Sequence, residues 1–452
     1  MQTEVEFLSL GDKRRNDRFR KIVEAAADHP TASVPQAQSQ WYGTKATYQF
    51  WSSPKVDSVQ LVQAIGQATA QRAMDHSTVL ILHDTTNIGF SSSSADQLGY
   101  LDHGRGKGVL THNTFVVSPQ GVPLGLAGQH VWVRPFEQMG IKASRASRPI
   151  EDKESYRWLE GIQRSEELMD GVDHRVHIAD READIYELFA VERQPGTDLL
   201  IRATHNRSLI DGGRLWDELA ARQLGGTFSV ELQKANDRPA RQAEVQVRWQ
   251  PVRLNPPAGK EHLGPVELYA ILVSEPCPPP GVARLCWKLL TSLPVASFQQ
   301  ALQCVQWYTH RWLIERFHFV LKSGCGVEAL QLRSLAGLQN ALACYSLVAY
   351  RLMWLVYESR ANPEGSCEQI MHEQEWRALY SYHHKSFAES DYVPSLDQVI
   401  RWIAMLGGFL NRKGDGNPGI KTLWRGMRRL QDLTDMWIAF ERGTYQHSDS
   451  FG

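Results

Sequence analysis

The chain has no Cys-x-x-Cys pair, no apolar run long enough to cross a bilayer, no low-complexity tract, no internal repeat and almost no net charge. Its six cysteines (Cys277, Cys286, Cys304, Cys325, Cys344 and Cys367) stand apart, which argues against a thiolate zinc site and a disulfide framework. A reducing cytoplasm is therefore the expected compartment. The opening "MQTEVEFLSLGDKRRNDRF" lacks an apolar signal core. The most apolar stretch, "ALACYSLVAYRLMWLVYESR", is interrupted by Arg351 and reads as a buried core helix, so no membrane partner is expected. With 49 basic and 50 acidic residues the net charge is −1. That balance neither supports nor excludes nucleic-acid binding, because a basic surface can be local.

What is present fits a globular protein. Hydrophobic residues make up 42% and charged residues 22% of 452 residues, a length that suggests two or three domains. Residues 1–70 look helical. They carry "KRRNDRFRK" at 13–21, including Arg14, Arg15 and Arg18, and then "ATYQFW" at 46–51. Basic and aromatic residues together suit DNA contact, although a solvated helix face over a small core is the simpler account of these residues alone. "TVLIL" at 78–82 reads as a buried strand with Asp84 just past its end. Two further strand-like runs flank Ser118-Pro119-Gln120-Gly121, a hairpin turn. "RVHIA" is a strand ending at Asp180, with a helix starting at "READIYELF", and "DLLIRATHNR" is one more strand. Across 206–290 the alternation in "TFSVELQKA", "AEVQVRWQPVRL" and "VELYAILVSE" predicts an antiparallel β insertion. Beyond it the chain turns helical, with 361–452 mostly so.

Residues 308–322, "YTHRWLIERFHFVLK", read as one helix. At about 100° per residue, Tyr308, Arg311, Glu315 and Lys322 share a stripe about 60° wide, opposite Leu313, Ile314, Phe317, Val320 and Leu321. Three carboxylates then stand out: Asp84 and Asp180 at strand ends, where ligands gather in open sheets, and Glu315 on the polar stripe. Such a set suits Mg²⁺, whose ligands are hard oxygens, and paired ions suit phosphodiester chemistry. Each residue also has a plainer reading. An aspartate after a strand is commonly a turn former or a cap, and the stripe can be a solvated i, i+4 network.

The spacing Tyr-x2-Arg-x3-Glu-x6-Lys resembles the YREK signature of bacterial insertion-sequence transposases. "HDTT" at 83–86 and "DREADIY" at 180–186 resemble the two aspartate motifs of the same DDE family. The similarity runs from "LGDKRRNDR" to "LGGFLNRK" and "LWRGMRRLQ", nearly the whole chain.

The resemblance implies an α/β, RNase H-like catalytic core at 71–360 interrupted by the β insertion. It also implies a helical DNA-binding domain at 1–70 and a helical dimerisation domain at 361–452. Carried over by motif, the DDE triad is Asp84, Asp180 and Glu315, holding Mg²⁺ (with Mn²⁺ as a substitute). Tyr308, Arg311, Lys322, Arg202 and Trp287 lie near the DNA end. The partners implied are double-stranded DNA, at transposon ends and target, and a second copy of the chain in a synaptic complex. The implied reaction is a nick, attack of the freed 3′-OH to give a hairpin, hairpin opening, and strand transfer. One departure is Phe319, where a relative carries a second lysine three positions before the signature lysine; another is "GVEALQLR" just after it. Two alternatives remain: a nuclease of the same fold that cuts without joining, and a degenerate copy that binds ends and inhibits transposition.

Overall fold

The structure, a computed structural model, describes residues 5–30, 32–38, 40–90, 97–101, 106–138, 148–232, 241–389 and 391–448, with side chains to residue 441 at the C-terminal end. The chain opens with helices α1 (Lys13–Asp28), α2 (Val34–Gln38), α3 (Trp41–Trp51) and α4 (Ser58–Ala73). Asp12 caps α1 by accepting the Arg14 N–H, and Asp57 caps α4 by accepting the Val59 N–H. Phe19, Ile22, Val23, Ala26 and Ala27 recur at helical spacing and are buried, so the basic run lies on the other face of an amphipathic helix.

A sheet follows: β1 (Thr78–Gly89), β2 (Gly99–Tyr100), β3 (Lys107–Val117) and β4 (Pro123–Trp132), then helix α5 (Tyr156–Leu168) and β5 (His174–Ala179). Next come α6 (Tyr186–Ala190), β6 (Thr197–Arg202), α7 (Leu215–Ala221), β7 (Gly226–Leu232), β8 (Arg241–Leu254), β9 (Val266–Ser274) and β10 (Cys286–Thr291). Ten strands among the described residues form one sheet in the order β2-β3-β1-β5-β6-β10-β9-β8-β7, with β4 paired to β3. Strand β3 is antiparallel to both β4 and β1, whereas β1, β5 and β6 are parallel. That order is the RNase H-like core expected.

The β3–β4 hairpin turns where the sequence places it. Ser118 N–H donates to Val122 C=O and Gly121 N–H to Ser118 C=O, both at 2.8 Å. Gly121 has φ +82°, a conformation that favours glycine. The insertion is antiparallel as expected, and it extends the core sheet. Strand β10 returns to pair antiparallel with β6, which ties β7–β9 to the sheet edge.

The helical half comprises α8 (Phe298–Thr309), α9 (Trp312–Phe319), α10 (Leu335–Ala361), α11 (Glu373–His384), α12 (Leu396–Leu406) and α13 (Ile420–Ser448). Helix α10 is the buried helix predicted from its composition, and among the described residues no helix is long and apolar enough to cross a membrane. The reading of 308–322 as one helix is corrected. Helix α8 ends at Thr309, α9 begins at Trp312, and a π turn occupies Val320–Gly324. Neither glycine nor proline marks the break. Instead, Gly121 of the β3–β4 turn lies against the His310 ring, close enough that an added Cβ would stand 2.7 Å from it. A contact made across the fold therefore accompanies the break between the two helices.

Candidate active site

The parallel ladder between β1 and β5 ends at the pair His83↔Ala179, while β1 runs on beside β3 as far as Gly89. Asp84 and Asp180, the next residue on each chain, therefore emerge side by side. Asp84 is not past the end of its strand, as the sequence suggested, but past the end of its parallel neighbour. Side chains alternate along a strand, so Asp84 shares a face with Leu80 and Leu82, and His83 takes the other. Leu80 and Leu82 belong to the apolar cluster that includes Ile314 and Phe317 of α9, which places Asp84 toward that helix. Its Oδ2 lies 3.5 Å from His318 Nδ1.

Asp180 caps the turn that follows it, accepting the Glu182 N–H at 2.8 Å. The capping reading is thus correct without removing the residue from the site. Burial raises the Asp180 carboxyl above its ordinary range. The Asp84 charge adds to this, while the Glu182 N–H and the Arg311 guanidinium oppose it. The two aspartates repel each other, and a cation between them would relieve that repulsion.

Glu315 projects from α9, its side chain 54% exposed, and pairs with Arg311. Burial disfavours the Arg311 charge, but Tyr308, Glu315 and Asp84 around it outweigh burial and shift the group upward. Lys322, in the π turn, donates from Nζ to Thr86 Oγ1 at 2.7 Å, two residues beyond Asp84 on β1. Burial lowers its ammonium, with Glu328 and Asp84 opposing.

The stripe is therefore not one solvated face. Tyr308 is only 4% exposed, and its buried hydroxyl has the Arg202 guanidinium as its polar neighbour. Its ring meets Trp287 edge-on, with centroids 5.3 Å apart. Strand β10 pairs with β6 at Leu289↔Arg202, so Arg202 joins them. Arg202, Trp287, Tyr308 and Arg311 line a cleft of about 300 Å³. Trp287 is half-buried rather than a core residue.

The donor set fits a divalent cation: adjacent hard-oxygen ligands that repel each other, with a third carboxylate on the facing helix. The fit is incomplete in one respect. Among the described residues, no three His, Cys, Asp or Glu side chains converge closely enough to hold an ion.

The basic cluster of α1 lies on a different part of the fold. Arg14 is exposed and pairs with Asp12 at 3.4 Å. Arg15 donates to the Leu10 and Lys55 carbonyls and so ties chain segments together. Arg18 stacks over the Tyr42 ring, 5.7 Å from its centroid. Of the aromatic residues in "ATYQFW", Phe50 and Trp51 are core and only Tyr48 is half-buried. The exposed aromatics are Trp41 at 76% and Tyr42 at 71%, which the sequence reading passed over.

Two further residues were missed. His318 bridges Asp84 and Asn113, whose Nδ2 lies 2.9 Å from His318 Nε2. Its i+3 spacing from Glu315 was the available signal. Arg207 pairs with the fully enclosed Asp184, which also accepts the Thr204 and His205 N–H groups. Asp184 is thus a structural anchor.

Three transposase family models match parts of the chain. The transposase DNA-binding family matches residues 1–56, the transposase DDE domain residues 156–352, and the transposase Tn5 dimerisation domain residues 347–447. The DDE match spans Asp180 and Glu315 and begins after Asp84. One solved structure, the cryo-EM piggyBac transposase synaptic complex with hairpin DNA, is similar at 10% identity and a TM-score of 0.36. That match covers 77% of this chain and 67% of the other, and a likeness this weak carries no argument.

Proposed function

The chain belongs to the DDE transposases and resembles the Tn5 transposase, and on that premise we propose that it performs cut-and-paste transposition with Asp84, Asp180 and Glu315 as its metal-binding carboxylates. It is a DNA-cleaving and strand-transferring enzyme of a divalent-metal-dependent family. The observation that carries the proposal is the register. Adjacent parallel strands put Asp84 and Asp180 side by side, and α9 faces them with Glu315 beside a cleft lined by arginines, a phenol and an indole.

Mg²⁺, replaceable by Mn²⁺, would supply charge neutralisation at the scissile phosphate. The chain's own residues do the rest. Arg311, Lys322 and Arg202 supply cations for phosphate oxygens. The Tyr308 hydroxyl, beside Arg202, offers a donor to the same strand. His318 holds Asp84 toward α9 directly, and Asn113 at its other ring nitrogen orients it. Trp287, half-open in the cleft, offers a face on which a base turned out of the duplex stacks, which relieves the tight bend of a hairpin. Residues 1–70 would recognise the transposon end. Residues 361–452 would join two copies, each acting on the end bound by its partner.

Incubation with the inverted repeats flanking the gene and Mg²⁺ tests this reading. Nicks followed by hairpin ends and joined target are the expected products. Nicks alone would identify a nuclease that cannot join, and binding without any cleavage would identify a degenerate, inhibitory copy.

A further inference from the structure

Glu315 is held differently from the other two carboxylates. Asp84 and Asp180 are placed by the strands that carry them. Glu315 turns back along its helix onto Arg311, whose side chain is only 16% exposed. The same guanidinium acts electrostatically on Asp84 and Asp180. One cation therefore stands among three acids. It offsets their mutual repulsion, and by pairing with Glu315 it keeps that carboxylate from joining the aspartates, in keeping with the absence of a converged triad among the described residues.

We propose that Arg311 is a latch: in the DNA-free chain its guanidinium serves as the internal counter-cation of Asp84, Asp180 and Glu315, and a DNA phosphate releases Glu315 by drawing the guanidinium away. This rests on the triad assignment above. A phosphodiester presents the same forked acceptor geometry to arginine as a carboxylate does, so the exchange conserves hydrogen bonding. The place for that phosphate is prepared, because the buried Tyr308 hydroxyl and the Arg202 guanidinium beside it line the same cleft. Arg311 acts here as a positioning residue, through Glu315. The consequence is positive coupling: DNA strengthens metal binding, and by reciprocity metal strengthens DNA binding. The carboxylate set is then complete only where DNA lies in the cleft.

The test is calorimetric titration of Mn²⁺ into the full chain without DNA. Arg311→Gln should bind Mn²⁺ about tenfold more tightly than wild type, within the range that two-site coupling commonly spans. Asp180→Asn should abolish that binding in either background. A merely structural role for Arg311 predicts weaker Mn²⁺ binding on its loss, not tighter. A folded Arg311→Gln protein with unchanged or weaker affinity, alongside a dead Asp180→Asn, overturns the latch and leaves the triad standing. Mn²⁺ binding that survives both Asp84→Asn and Asp180→Asn overturns the triad, and the latch with it. If Arg311→Gln melts without a cooperative transition, Arg311→Lys, which keeps the charge but not the fork, is read in its place. It should shift affinity in the same direction by a smaller factor, and no shift overturns the latch.

Discussion

The two halves of the proposed active site are held by different physics. The aspartates directly follow the last pair of a hydrogen-bonded ladder, so the positions of Asp84 and Asp180 follow from the pairing His83↔Ala179. A slip of one residue would exchange Leu80 and Leu82 with Val79 and Ile81, which pack in separate clusters on the two faces of β1, so this half is fixed wherever the sheet is folded. Glu315, Arg311 and Lys322 belong instead to a helical segment broken at 310–311 and loosened into a π turn at Val320–Gly324. Each has a second partner available: Glu315 has Arg311, and Lys322 has Thr86. One half is set by the backbone and the other by side-chain pairing that a ligand can exchange. A site so divided is incomplete until its ligand arrives.

Removing a carboxylate from either half should have the largest effect. Asp84→Ala, Asp180→Ala and Glu315→Ala should each reduce strand cleavage by more than about a thousandfold, on the scale at which electrostatic transition-state stabilisation is lost. End binding should persist, because phosphate contacts elsewhere supply most of it. Gel assays of cleavage and of binding separate the two effects. Near-normal cleavage by any one variant would remove that residue from the site. Asp184→Ala breaks the same strand–helix junction without touching the site. It leaves Arg207 enclosed and unpaired, so it should cost about 3–5 kcal/mol in stability. Thermal or urea melts measure this, and a loss under about 1 kcal/mol would mean that the pair is solvated.

This division also explains what the sequence could and could not reveal. The aspartates were visible because a strand ending in an acidic residue is a local pattern. The true length of β1 was not, because "DTTNIG" carries no apolar alternation and is held by β3 alone. The β insertion was legible from strict alternation, and its fusion to the core sheet was not, since β6–β10 pairing joins residues far apart in sequence. The break at His310 left no trace in composition, because its neighbour is the Gly121 turn. At the N-terminus the exposed pair Trp41–Tyr42 and the buried pair Phe50–Trp51 look alike as letters. Packing of Trp51 on Tyr345 and Cys344 of α10 separates them.

Trp287 sharpens the comparison at the junction of the two halves, since β10 carries it and α8 presents Tyr308 to it. Trp287→Ala should leave nicking normal and slow hairpin formation by about 1–3 kcal/mol, the usual worth of a base–aromatic stack. An abasic nucleotide at the flipped position should rescue it. Equal slowing of both steps, with a lower melting temperature and no rescue, would assign Trp287 to packing. On the opposite face of β1 the ladder buries His112 and His177 as neutral rings. Burial pushes both well below the ordinary histidine range, with His83 adding to the shift in each. Arg157, His130 and His318 also oppose protonation of His112, as do Arg193 and Arg175 for His177. Their folded pKa values lie below the unfolded value of about 6.5, so the unfolded chain binds more protons in that interval. The stability they contribute is whole above about pH 6.5 and is lost as pH falls below it. Melting temperature should decline from about pH 7 to about pH 5, with a shallower slope in His177→Asn. An unchanged slope would place the acid-sensitive groups elsewhere.

The smallest expected effect separates neighbouring arginines on α1. Arg15 and Arg18 lie three residues apart, yet Arg15 donates to the Leu10 and Lys55 carbonyls whereas Arg18 rests on the exposed Tyr42 ring. If that surface meets DNA, Arg18 can leave Tyr42 for a phosphate at little cost, because a cation–π contact at an exposed ring is worth about 0.5–1 kcal/mol. Arg15 cannot leave without freeing two carbonyls and the segment they anchor. Arg18→Ala should therefore keep the wild-type melting temperature and reduce the salt dependence of end binding by about one counterion. Arg15→Ala should lower the melting temperature, with weaker binding as a result and a salt slope close to wild type. Fluorescence anisotropy across a salt series, paired with thermal melts, reads both quantities. The reverse assignment, a slope change in Arg15→Ala with full stability and none in Arg18→Ala, would show that the α1 hydrogen bonds yield to DNA and that the Tyr42 stack does not.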